Sequence, residues 1–109
     1  MAQWYERLYT GVTIAKKVRK VKRMVNKGKF LPDLYLVTAA ANGVDQLDIL
    51  DARNLLIPSV RKNLPCVVGI ALGKQEALEL VRSIAEETYA ATGDGDIRAY
   101  LWPQEQERS

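Results

Sequence analysis

A continuous apolar run from Pro65 to Leu72 constrains the fold of this chain more than any other stretch. It reads Pro-Cys-Val-Val-Gly-Ile-Ala-Leu, is bounded by Pro and Gly, and precedes a long helical pattern from Lys74 to Ala91. A strand that is covered on both faces has such a near-continuous apolar run, whereas a strand with one wet face alternates. The run therefore predicts a strand buried inside a sheet, followed by a helix that packs on that sheet.

The rest of the chain supplies further elements around this strand. Residues 13–27 have the apolar spacing of a helix, and residues 33–41, 44–50 and 96–102 have the patterns of strands. Residues 51–57 resemble a short helix that is capped by Asp51 and ended by Pro58. Residues 2–9 are compatible with a helix that Gly11 weakens. The predicted order is α-β-β-α-β-α-β, in which the last three elements form a βαβ unit. We expect one domain over residues 1–109, of α/β class with α+β as the alternative, in which a four-stranded mixed sheet carries packed helices.

Two further segments need a separate prediction: residues 42–56, for which a hairpin and a helix are both possible, and the C-terminal tail. Asn42-Gly43 is a strong hairpin-turn signal and favours a hairpin between the second and third elements. Because Leu47, Leu50 and Asn54 are also helically spaced, a helix within residues 45–56 is the alternative. The polar tail, residues 103–109, is expected to fray.

The stretch from Thr10 to Lys29 holds eight of the sixteen basic residues and no acid. Ile14, Val18, Val21 and Val25 follow the i, i+4, i+7, i+11 spacing of one helix face, and the cations lie on the two flanks. Residues 1–31 form a predicted basic helical arm that either packs on the body or projects from it. The net charge of this arm is 9 − 1 = +8. Residues 32–109 carry 7 − 12 = −5. Such asymmetry indicates either an acidic partner or pairing with the chain's own acids, for which Glu76, Glu79, Glu86 and Glu87 are candidates.

The function that this pattern favours is binding or self-assembly through the helix of residues 12–27, without catalysis. In the alternative, the protein binds nucleic acid and the helix contacts phosphates. An interfacial membrane helix ranks lowest because the apolar face is thin. The partners expected are therefore a second copy of the chain or a nucleic acid. The cations assigned to the contact are Lys16, Lys17, Arg19, Lys20, Lys22, Arg23 and Lys27.

A weaker candidate is the loop from Gly69 to Lys74, between the buried strand and the long helix. Gly69, Gly73 and Lys74 could bind an anion, a phosphate or a nucleotide there, but the loop lacks the spacing and the Ser or Thr of a Walker A motif. The simpler interpretation is that Gly73 ends the strand.

The chain contains no histidine, which excludes a Ser-His-Asp or Cys-His catalytic site within it. With Cys66 as its one cysteine, the usual zinc ligand sets are excluded as well, and Cys66 inside an apolar run is expected to be an inert core residue. We expect no cofactor, no metal and no membrane span. The lone cysteine and the lack of a signal-peptide pattern predict a cytoplasmic location.

Overall fold

The computed structural model describes residues 2–40 and 46–103 of the chain. Strand β1 covers Trp4–Thr10, and a 3₁₀ turn at Ala15–Lys17 leads into α1, Val18–Asn26. Strands β2 (Leu34–Ala39) and β3 (Leu47–Asp51) follow, then a 3₁₀ segment at Ala52–Leu56 and the short helix α2 (Pro58–Lys62). The last elements are β4 (Val67–Leu72), α3 (Lys74–Thr92) and α4 (Ile97–Leu101).

The four strands form one mixed sheet in the order β1-β4-β2-β3. Strand β1 is parallel to β4, while β2 is antiparallel to both β4 and β3. Residues Val67 to Ala71 are fully or almost fully buried, as the apolar run predicts for an inner strand. The predicted four-stranded mixed sheet with packed helices is confirmed, and its class is α+β.

Helices cover both faces of this sheet. On one face, α1 and the 52–56 segment contribute Val21, Val25 and Leu55 to a core with Leu36 and Ile70 of the sheet. On the other face, α3 and α4 contribute a second core with β2 and β4, which contains Val37, Val68, Leu80, Ile84, Ile97 and Leu101. The sheet therefore separates α1 from α3, and this separation decides which charges can meet.

The two ends of the chain differ from the prediction. Residues 2–9, which are compatible with a helix, form β1 instead, because Trp4 and Leu8 pack into one core while Tyr5 and Tyr9 pack into the other. Residues 96–102, predicted as a strand, form α4, whose first turn is capped by the Asp96 side chain accepting from the backbone N–H of Ala99. The predicted C-terminal βαβ unit is therefore wrong, and the parallel neighbour of β4 is β1.

The hairpin prediction is confirmed by the antiparallel pairing of β2 with β3, although the Asn42-Gly43 turn lies outside the described residues. The competing helix over 45–56 is wrong for residues 47–51, and the helical part begins only at Ala52. The Asp51 cap is confirmed, since its Oδ1 accepts from the backbone N–H of Arg53 at 3.0 Å. Pro58 ends that segment and also starts α2, so Arg61 and Lys62 are helical.

The predicted tail beyond Pro103 lies outside the described residues. No helix within residues 2–40 and 46–103 is both long enough and apolar enough to cross a membrane.

Candidate functional site

The apolar stripe of α1 is buried in the protein's own core. Ile14 and Val21 are fully buried and Val25 is 3% exposed. The end of the helix is tied to β1, because Asn26 Oδ1 accepts hydrogen bonds from the Ala2 backbone N–H and from Trp4 Nε1, each at 3.1 Å. The stripe is therefore not available to a partner, and α1 presents its polar flanks to the outside.

Those flanks carry all of the predicted contact cations, which we call the α1 cation surface: Lys16, Lys17, Arg19, Lys20, Lys22, Arg23 and Lys27. All are exposed except Lys22, which is half-buried with its Nζ 5.7 Å from the centroid of the Trp4 ring. Five of them line one shallow concavity of about 530 Å³ along the start of the helix. The helix thus gathers on one surface the cations that the sequence places in a single stretch.

The acids that could neutralise these cations lie elsewhere. Glu79, Glu86 and Glu87 are exposed on α3, which packs on the opposite face of the sheet. Glu76 is engaged at the start of α3, where its Oε2 accepts from Thr13 Oγ1 at 2.8 Å. Between described residues the ion pairs are Arg53–Asp51 and Arg82–Glu86, and neither involves α1. The pairing of α1 with the α3 acids that the charge balance allows does not form.

A dense group of like charges without acidic partners has a direct physical consequence. Like charges spaced at i, i+4 on an α-helix, such as Arg19 with Arg23 of α1, destabilise it by about 0.2–0.5 kcal/mol per pair. An arriving polyanion would remove this repulsion and release its own counterions. The α1 cation surface is therefore suited to bind an anionic polymer.

The loop from Gly69 to Lys74 has a geometry that weighs against a phosphate site. Gly69 lies within β4 under α3, and a Cβ atom there would be 2.7 Å from Leu80 Cδ2. At the start of the helix the chain supplies its own anion, because Glu76 Oε1 accepts from the Leu72 backbone N–H at 3.2 Å. Gly73 has φ +84° and ends the strand, while Lys74 is exposed.

An aromatic group links β1 to α3 and α4. The Tyr5 ring stacks on Tyr9 at a centroid distance of 6.2 Å and meets Trp102 edge-on at 5.8 Å. Tyr9 and Tyr100 both donate their hydroxyl hydrogen bonds to Glu87 Oε2. Burial, and then the Glu87 hydrogen bond, raise the pKa of Tyr9 above its ordinary value. These contacts fill the space between the elements, which is the commoner use of such aromatic residues.

One pair of cations near α1 was not among the predicted contact residues. Arg61 and Lys62 of α2 lie beside the C-terminal end of α1, where Arg61 approaches Gly28. In the sequence, the only sign of this pair is that two basic residues, Arg61 and Lys62, are adjacent. More than thirty residues separate them from the end of α1, and no local pattern predicts that the chain comes back to it.

Cys66 is half-buried beside β4, and the described residues contain no group of three or more His, Cys, Asp or Glu side chains placed to hold a metal ion. Comparison of the chain with protein-family models, with curated proteins and with solved structures gives no match.

Proposed function

We propose that this protein binds nucleic acid through the α1 cation surface and contacts the phosphate backbone without reading its sequence. The observation that carries the proposal is that seven cations, six of them exposed, lie on α1 and next to its ends and have no acidic partner among residues 2–40 and 46–103. Side chains that contact phosphates supply affinity and position, whereas contacts to base edges supply sequence specificity.

Burial of the apolar stripe weighs against the two other uses of such a helix. Self-assembly through the stripe would require Ile14 and Val21, both fully buried, to leave the core. Insertion into a membrane surface would need large apolar side chains on the outer face, and that face carries Lys and Arg. Self-assembly through the exposed side of the helix of residues 12–27 stays a prediction.

The cations are arranged in a row that suits a polymer of phosphates. Lys20 and Arg23 lie on one flank of α1, with Lys16 in the 3₁₀ turn before the helix and Lys27 directly after its last residue. If these four side chains each neutralise one phosphate, the logarithm of the affinity falls with the logarithm of salt concentration with a slope of about −3.6 on duplex DNA and about −2.8 on single strands.

A charge-reversal experiment tests this proposal. Lys20→Glu combined with Arg23→Glu should abolish the mobility shift of duplex and single-stranded DNA or RNA at low salt, and any residual salt slope should be smaller by about 2. The matched control is Lys74→Glu with Arg82→Glu, which changes the net charge equally but on α3, across the sheet. We expect the control to bind nearly as well as the unmodified protein.

Two outcomes would contradict the proposal. One is the absence of any shift at about 10 mM salt, where screening is weakest because the Debye length is about 30 Å. The other is equal weakening in both double variants, since net charge rather than the α1 surface would then govern binding.

A further inference from the structure

A second concavity, of about 390 Å³, lies at the C-terminal end of α1, where the helix meets the 52–56 segment and α2. Pro58 and Leu64 supply accessible apolar lining, and Asn26, Arg61 and Lys62 supply polar groups, whereas Val25 and Leu55 of the lining are buried in the core. None of the residues that line it is acidic. A volume in the lower part of the range for ligand pockets, about 300–1,000 Å³, suits a ligand the size of one nucleotide.

The position of Arg61 depends on a glycine at the end of α1. Gly28 follows the helix with φ +74°, and a Cβ atom at this residue would lie 2.7 Å from Arg61 Nη1. A side chain at position 28 would therefore force the tip of the Arg61 side chain to shift. Its Nη1 donates to the backbone carbonyl of Leu55 at 3.3 Å. That is its one hydrogen bond among the described residues, and a guanidinium has five N–H donors, so most of them remain for a ligand.

We propose that this concavity binds a phosphate monoester next to a nucleobase, as found at the phosphorylated end of a nucleic-acid strand. A phosphate monoester carries a charge of about −1.5 to −2 at pH 7 and has three acceptor oxygens. Arg61 and Lys62 match this charge with two cations, and the guanidinium can bind two of the oxygens at once. The apolar lining offers a surface for the adjoining base.

The concavity lies at the C-terminal end of α1, close in the chain to two residues of the α1 cation surface. Asn26, which lines it, lies one helical turn after Lys22, and Lys27 directly follows Asn26 in the chain. A strand bound along α1 would bring its end to Arg61 and Lys62. In this respect the inference rests on the proposed function, although the ligand chemistry of the concavity stands without it.

The test uses ligands too short to span α1. A 5′-phosphorylated dinucleotide should bind in calorimetry at least tenfold more tightly than the same dinucleotide with hydroxyl ends. Arg61→Ala with Lys62→Ala should remove this preference, while Arg61→Lys should retain part of it because the charge stays and the planar fork is lost. In the control, Lys74→Ala with Arg82→Ala, the same number of cations is removed from α3, on the other face of the sheet. The preference should persist there.

Further arms identify the source of the ligand and the contribution of the base. A mononucleotide that binds as tightly as the dinucleotide identifies a free nucleotide as the ligand, and tighter binding of the dinucleotide identifies a strand end; both support the site. Equal binding of inorganic phosphate and mononucleotide overturns the proposal, because the base then contributes nothing.

The site and the α1 function can fail separately. If the phosphorylated and hydroxyl dinucleotides bind equally, or neither binds, this inference is overturned whether or not long strands bind to α1. If the phosphorylated dinucleotide binds and long hydroxyl-ended strands do not, the α1 proposal fails and the site stands. Circular dichroism and a urea melt of Lys62→Glu, a single change at an exposed residue, separate a lost site from a lost fold.

Discussion

Gly69 sets the distance between the sheet and α3. The residue pairs with Val37 across the sheet, and the Leu80 side chain of α3 occupies the space where its own side chain would be. A Cβ atom at this position would lie 2.7 Å from Leu80 Cδ2 and 3.3 Å from the backbone oxygen of Tyr9. The glycine is therefore required by helix packing, which accounts for its place in the apolar run without any phosphate.

We expect Gly69→Ala to lower the free energy of unfolding by about 1–3 kcal/mol, because the added methyl group overpacks the contact with Leu80. Urea denaturation monitored by circular dichroism measures the change. Gly95→Ala is the control, since no atom lies within 4 Å of the Cβ that it would add. Equal stability of the Gly69 variant and the control would contradict the role assigned to Gly69.

At the scale of elements, β1, α3 and α4 are joined through one carboxylate. Tyr9 of β1 and Tyr100 of α4 both donate to Glu87 of α3, so a single side chain holds three elements together. The Glu87 hydrogen bond, and then burial, raise the pKa of Tyr100, while burial is the main cause for Tyr9. Both effects favour the protonated tyrosine in the folded protein.

This arrangement predicts a loss of stability at high pH. Above about pH 10 the unfolded chain gives up the Tyr9 proton while the folded protein retains it, so the unfolded state binds fewer protons and stability falls as pH rises. Below pH 10 the contribution is fully present. In Tyr9→Phe, the decline in urea stability between about pH 9.5 and 11 should be shallower, since the group that titrates is absent.

Tyr89→Phe is the matched control for that experiment, because Tyr89 lies on the same helix as Glu87 and is 64% exposed. We expect its pH dependence to follow that of the unmodified protein. An unchanged slope in Tyr9→Phe would contradict the raised pKa of Tyr9 in the folded protein.

For the molecule as a whole, the sheet acts as a partition between charges. The cations of α1 lie on one side, and the exposed acids Glu79, Glu86 and Glu87 of α3 lie on the other. Screening by salt should relieve the repulsion within α1, since the Debye length falls from about 30 Å at 0.01 M to about 8 Å at 0.15 M.

We therefore expect the melting temperature to rise between 10 mM and 300 mM sodium chloride in the absence of any ligand. Neutralising two of the cations, in Arg19→Gln with Arg23→Gln, should make this rise smaller because a repulsive i, i+4 pair of α1 is removed. Lys74→Gln with Arg82→Gln on α3 should leave the rise undiminished. A melting temperature that falls with salt would contradict the unpaired state of the α1 cations.

The sequence alone determined the elements whose signals lie in neighbouring residues. The apolar run predicted β4, helical spacing predicted α3 and α1, and the Asp51 cap and the paired strand patterns predicted the 52–56 segment and the β2–β3 hairpin. Periodicity and capping are local properties, so a window of ten to twenty residues contains the information for them.

Only the tertiary structure determined the features that depend on contacts between residues far apart in the chain. The parallel partner of β4 is β1, about sixty residues earlier, and the aromatic residues of both chain ends took the conformations that fill the second core. The same strand order separates the acids of α3 from the cations of α1, and brings Arg61 to Gly28. The net charges of +8 and −5 allowed the cations to be neutralised within the chain. Whether the opposite charges meet depends on the face of the sheet on which each helix packs, and the packing of the two cores determines that face.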